Sequence, residues 1–104
     1  MSYNIRFTIS AKNDLNSIKK YICNDNYNIA KQVIKDIIES IENLKSNPAM
    51  GRAGRVLRTR ELIIPRYPYI VPYQVKDNNI YVLRVLHTSR IWEDNDSIIS
   101  NTLL

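Results

Sequence analysis

Seven of the eight arginines lie between Arg52 and Arg90, while six of the seven lysines precede residue 50. Lysine is a flexible point charge suited to a solvated helix face, whereas arginine carries a planar, permanently charged fork that grips phosphate or carboxylate through two bonds. The residues able to do chemistry are thus concentrated in the second half. Arg52, Arg55, Arg58, Arg60 and Arg66 stand between Gly51 and Arg66 against Glu61 alone, five positive charges to one negative. Tyr67, Tyr69, Tyr73 and Tyr81 are interleaved beside them. Arginine next to aromatic faces is the pairing that single-stranded nucleic acid takes, although half-buried strand tyrosines with solvated hydroxyls give the same pattern. His87 is the only histidine and precedes Arg90 by three residues. An imidazole there can exchange a proton near neutral pH, and a guanidinium beside it can steady a phosphorane as RNA is cut by its own 2′-hydroxyl. That chemistry needs no metal, and the same histidine serves equally well as a strand-end cap.

Other chemistries find little support. A single histidine and a single cysteine, Cys23, cannot build a zinc site, the acidic residues lack calcium-loop spacing, and no glycine-rich phosphate loop is present. No cofactor is expected. Cys23 cannot close an internal disulfide and fits a reducing cytoplasm, where it packs at a helix end. The 104 residues suffice for one domain, residues 1–104, and a formal charge of +5 with a pI near 9.5 points to an anionic partner. The longest apolar runs are four or five residues, so neither a signal peptide nor a membrane span is expected.

The elements that must position these residues follow from periodicity. Tyr3 to Ile9 alternates with a period of two, as a half-buried strand does. Ser10 then offers an N-cap, Asp14 favours the first turn, and Ala11, Leu15, Ile18 and Ile22 recur at helical spacing until Asn24-Asp25-Asn26. A second helix runs over about Asn28 to Ser46 along Ala30, Val33, Ile37, Ile41 and Leu44, and Pro48 and Gly51 end it. Gly51 to Thr59 has no period and is expected to be a mobile loop. Strands resume at Glu61–Ile64, Tyr69–Val75 and Ile80–His87, with Lys76 to Asn79 as a hairpin turn. The last is nearly continuously apolar and is expected to be central. Pro72 lacks a ladder donor and implies a bulge or an unpaired edge. Arg84 interrupts the apolar run and must find a carboxylate, carbonyls or a ligand. The order is α+β: strand, antiparallel helix hairpin, three-stranded antiparallel meander, short tail, with the helices on one face and the other face open.

These segments, in this order, resemble the RelE/ParE superfamily of toxins from bacterial type II toxin–antitoxin modules. The resemblance rests on AKNDLNSIKKYI, AKQVIKDIIESIENLKSNPAMGR, RELIIPRYPYIVPYQV and VLRVLHTSR, and it covers nearly the whole chain. It implies growth arrest until a cognate acidic antitoxin, partly disordered when free, wraps the toxin. One branch of the superfamily inhibits DNA gyrase and the other cuts mRNA on the ribosome. In the cutting branch a basic residue usually precedes by three positions the tyrosine of a hydrophobic-Tyr pair on the middle strand; here that place is Ile70, ahead of Tyr73. The lysines of the preceding strand are replaced by Glu61, Ile63 and Ile64. The resemblance therefore favours gyrase, with a ribosome-dependent endoribonuclease using Arg60, His87 and Arg90 as the alternative. Arg52, Arg55, Arg58, Arg66, Arg84, Tyr73 and Trp92 are the expected target- or antitoxin-binding residues.

Overall fold

A computed structural model describes residues 3–89 of the chain. The first strand, β1, covers Asn4–Phe7 and stops two residues earlier than its alternation suggests. Thr8 is the reason. Its hydroxyl oxygen accepts the Ala11 N–H (3.1 Å) and caps helix α1, Ile9–Cys23, while its O–H donates to the Leu83 carbonyl (2.9 Å). Ser10, the expected cap, lies inside the first turn. Asp14 therefore falls beyond that turn and has a different role.

Asn26 caps helix α2, Tyr27–Glu42, by accepting the Ile29 N–H at 3.1 Å, and a single 3₁₀ turn, Asn43–Lys45, finishes it. The apolar stripe of α2 is buried, Ala30 included, and Val33, Ile37 and Ile41 join Ala11 and Ile18 of α1 and the inner face of the sheet in one core. Each fully buried Val or Ile side chain contributes about 1.5–3 kcal/mol, so this stripe is the main source of cohesion between the layers.

The remaining strands are β2 (Arg52–Ala53), β3 (Arg60–Ile63), β4 (Tyr69–Lys76), β5 (Asn79–Val82) and β6 (Leu86–His87). Their order is β1-β5-β4-β3-β2, with β6 also on β4. The expected antiparallel meander is present as β3, β4 and β5, and β1 adds to it in parallel beside β5, Ile5 opposite Ile80. β5 has neighbours on both sides along its whole length, β1 and β4, whereas β4 has β3 on one side only over residues 70–73. The Ile80–His87 run is interior, but it is divided into two strands.

Pro72 explains the division. Tyr73 pairs with Val82 and Ile70 with Leu86, so two residues of β4, Val71 and Pro72, face three, Leu83 to Val85. One extra residue on one strand is a β-bulge. Pro72 has no N–H to offer, and its carbonyl takes the Leu83 N–H at 2.9 Å. The freed Val85 N–H bonds the Asp14 carboxylate at 2.9 Å, and the same carboxylate holds Arg84 through Nε (2.8 Å) and Nη2 (3.1 Å). Asp14 thus seals the bulge from α1, and Arg84 has the carboxylate its position demanded.

The outer face is not left bare. Val56 and Tyr81 pack against Leu83 and Leu86 in a small second cluster. Part of the expected loop is also ordered into the sheet, because Arg52 and Ala53 pair with Glu61 and Arg60 as an edge strand. No helix among the described residues is long and apolar enough to cross a membrane.

Candidate functional site

The loop from Arg52 to Thr59 is built around one carboxylate. Glu61 is 2% exposed, and its Oε1 receives Nε (3.2 Å) and Nη2 (3.1 Å) of Arg52 while Oε2 receives the Arg55 N–H (3.1 Å). A buried carboxylate must be hydrogen-bonded to be tolerable, and these three donors satisfy it. Gly54 N–H donates to the Thr59 carbonyl at 2.8 Å, and the Thr59 hydroxyl donates to the Val56 carbonyl at 2.6 Å, so the loop closes on itself. It is a hydrogen-bonded platform rather than the mobile loop its composition suggests. Arg58 adopts φ 66, a left-handed conformation that non-glycine residues take only where the surroundings hold them.

Tyr73 anchors the loop's entry. It is fully buried, donates its O–H to the Pro48 carbonyl (2.6 Å) and accepts the Gly51 N–H (2.8 Å). Burial raises its pKa above the usual phenol value, with the Gly51 N–H and the Arg60 charge opposing. Arg60 reaches the Gly51 (2.8 Å) and Ala49 (3.3 Å) carbonyls through Nη1. Tyr73 is therefore a structural post with no free face for a ligand.

His87 lies elsewhere. It pairs with Tyr69 at the other end of β4 and meets that ring edge-on at 5.6 Å, whereas Arg60 pairs with Tyr73. Four residues of strand separate these two levels, about 13 Å at about 3.3 Å per residue. The His87 Nδ1 accepts the Ser89 N–H (3.1 Å), which leaves the proton of the neutral ring on Nε2. The structure does not bring Arg60 and His87 together. Arg90 and Trp92 fall outside the described residues, as does the Ile91–Leu104 tail. Between the two ends, at the level where the resemblance would put a cation, Ile70 stands in an apolar row with Ile63 and Leu86.

Arg66 sits in a turn with φ 73, beside Asp36 of α2. Tyr67 O–H donates to Asp36 Oδ2 at 2.7 Å, and Gln32 Nε2 donates to Oδ1 at 2.8 Å. The Tyr67 hydrogen bond holds the Asp36 carboxyl below its ordinary 3.8, with Gln32 and then the Arg66 and Lys35 charges adding to it, and the same bond pushes the Tyr67 phenol above its ordinary 10.0. A depressed carboxyl pKa stabilises the folded chain above the unfolded value, and that stability is lost as pH falls through the folded value. A raised phenol pKa stabilises it below about 10 and is lost as pH rises past that. Tyr67→Phe is expected to flatten both flanks of the stability–pH curve, measured by urea denaturation from pH 3 to pH 11. An unchanged acid flank would show that Asp36 draws nothing from this bond.

A groove runs beside this turn. One cavity of about 320 Å³ is lined by Met50, Gly51, Arg52, Leu62, Ile63 and Pro65 together with Ser40, Asn43 and Glu61. It adjoins another of about 460 Å³ between Asp36, Glu39, Glu42 and Arg66, sharing Ser40, Asn43 and Pro65. Ile63 is 52% exposed on its floor, and β2 covers the outer edge of β3 only at Arg60 and Glu61. The main-chain edge at Leu62 and Ile63 is thus free of a further strand among the described residues.

Glu61 was legible as the lone carboxylate among the arginines. The Asp14–Arg84 pairing, across 70 residues, gave no local signal, and neither did the opposite fates of Val56, packed inward, and Leu57, exposed.

Residues 5–92 match the family model described as the ParE toxin of the type II toxin–antitoxin system parDE. The chain is 36% identical over 88 residues to the Sinorhizobium fredii protein named "Putative toxin Y4kP", covering 85% of this chain and 91% of that one. Among solved structures it resembles the chromosomal ParDE system of P. aeruginosa, with TM-score 0.75, 28% identity, and 83% and 96% of the two chains covered. The Mycobacterium tuberculosis RelBE2 toxin–antitoxin complex shares the fold at TM-score 0.62 and 22% identity, covering 84% and 92%.

Proposed function

Because the chain belongs to the ParE toxin family of type II toxin–antitoxin systems, we propose that it arrests growth in the cytoplasm by binding DNA gyrase, without catalysis, until a cognate antitoxin covers it. The observation that carries this reading is the separation of Arg60 and His87 at opposite ends of β4, with the apolar row Ile63–Ile70–Leu86 between them. A metal-free ribonuclease needs its proton-transfer group and its phosphorane-stabilising cation within hydrogen-bond reach of one phosphate. Arg60 directs its Nη1 to the Ala49 and Gly51 carbonyls, away from His87. Binding needs only a presented surface.

The antitoxin belongs on the groove beside β3. Ile63 and Met50 supply apolar contact there, and the free edge of β3 supplies main-chain donors and acceptors for an extended segment that orders on binding.

Induced expression with simultaneous pulse labelling of DNA and protein tests the target. DNA synthesis is expected to fall first, purified toxin to inhibit gyrase supercoiling, and His87→Ala to arrest growth as wild type does. Protein synthesis collapsing first, with His87→Ala harmless, would establish the ribosome-dependent endoribonuclease instead.

A further inference from the structure

Resting on that reading for the target's identity, we propose that the Arg52–Thr59 loop is the element that docks on the target, and that it meets an acidic protein surface with an apolar recess. Charge is the first ground. Glu61 is buried and already satisfied by Arg52 and the Arg55 N–H, so it cannot neutralise the Arg55 and Arg58 side chains, which engage no other side chain or carbonyl among the described residues. Two guanidiniums held without a carboxylate present bidentate donors outward.

Leu57 is the second ground. It is 83% exposed between those arginines, while its neighbour Val56 turns inward against Leu83 and Leu86. An apolar tip flanked by arginines fits a protein–protein contact, whose fully buried centre is more apolar than the surrounding surface and in which arginine is enriched and lysine depleted. A phosphate backbone has no recess for a leucine.

The tyrosines are the third ground. Nucleic-acid strands take their sequence-tolerant affinity from exposed aromatic faces. Tyr73 is fully buried with both its hydrogen bonds made, Tyr69 is buried against His87, Tyr67 is bound to Asp36, and Tyr81 packs on the second cluster. The loop is also pre-formed by its own hydrogen bonds, so docking costs little ordering entropy.

The test uses the full chain carrying Leu57→Asp, and separately Arg55→Glu with Arg58→Glu, all on exposed side chains. Circular dichroism and antitoxin affinity are expected to match wild type, while the concentration for half-inhibition of purified gyrase rises about tenfold or more and growth arrest is relieved. Arrest and inhibition unchanged in both variants would overturn the proposal and leave the gyrase reading standing. Loss of antitoxin affinity with toxicity intact would assign the loop to the antitoxin and also overturn it. If wild-type toxin does not inhibit gyrase, that reading fails, and growth arrest alone decides the loop: relieved by both variants, the loop docks on another protein; unrelieved, it does not dock. Tight binding of a single-stranded RNA oligonucleotide, abolished by the charge reversals, would overturn the acidic-protein partner.

Discussion

Asp14→Ala is expected to destabilise the chain by about 3–4 kcal/mol, a large part of the total stability of a domain of this size. The Asp14 and Arg84 side chains are only 16% and 13% exposed, so their bidentate pair is not a solvent-screened surface contact. Removing the carboxylate takes two charge-assisted bonds from Arg84 and orphans the Val85 N–H at the bulge. Each lost partner inside the fold costs the desolvation of the group left behind, about 1–3 kcal/mol for a neutral donor and more for a charge. Asp14→Asn separates these contributions, because its amide oxygen still accepts the Val85 N–H but carries no charge; about half the loss is expected. Urea denaturation with an unchanged m-value measures both. A loss below about 1 kcal/mol for Asp14→Ala would mean that the bulge does not depend on α1.

The second large effect is at Gly51. A Cβ there would lie 2.6 Å from Tyr73 Cε1, 2.7 Å from its hydroxyl oxygen and 2.9 Å from the Glu61 carbonyl oxygen. Tyr73 is the largest fully buried side chain among the described residues and is tied at its hydroxyl, and the Glu61 carbonyl is backbone, so neither can yield easily. Gly51→Ala is expected to cost about 2–3 kcal/mol through overpacking and to loosen the start of the arginine loop. Tyr73→Phe relieves no crowding but strands the Gly51 N–H and the Pro48 carbonyl, for about 1–3 kcal/mol. In Gly51→Ala, faster amide exchange at Gly54 and Thr59 is the local signature, and protection equal to wild type would show that the loop is held without the Gly51–Tyr73 contact.

The two variants bear on function differently. Asp14 supports the junction of α1 with the β5–β6 segment and makes no contact of its own with the loop's arginines, so toxicity per folded molecule is expected to persist. Gly51 acts directly on the platform that presents Arg55, Leu57 and Arg58.

Much of this architecture could be foreseen from local pattern. The stripes of Ala11–Ile22 and Ala30–Leu44 have a single way to be buried, and they became the two helices. Pro72 announced a break in the ladder because a missing N–H is a covalent fact that no tertiary context can repair, and the bulge stands opposite it. The α+β order and the clustering of arginine around residues 52–66 followed in the same way.

Other outcomes depended on which groups the fold makes neighbours. Thr8 rather than Ser10 caps α1 because the Leu83 carbonyl, distant in sequence, waits for its hydroxyl. Arg84 pairs with Asp14 and Arg60 bonds the Ala49 and Gly51 carbonyls through Nη1, while Arg55 and Arg58 are exposed with no such side-chain bond among the described residues, although all four are the same residue type. Arg60 and His87 are far apart because antiparallel pairing assigns them to levels four residues distant on β4. Period and composition act over a few residues and settle element type and available chemistry. Partnership is set by strand register and helix docking across the chain, and those decide which arginines bond within the fold and which are left to solvent.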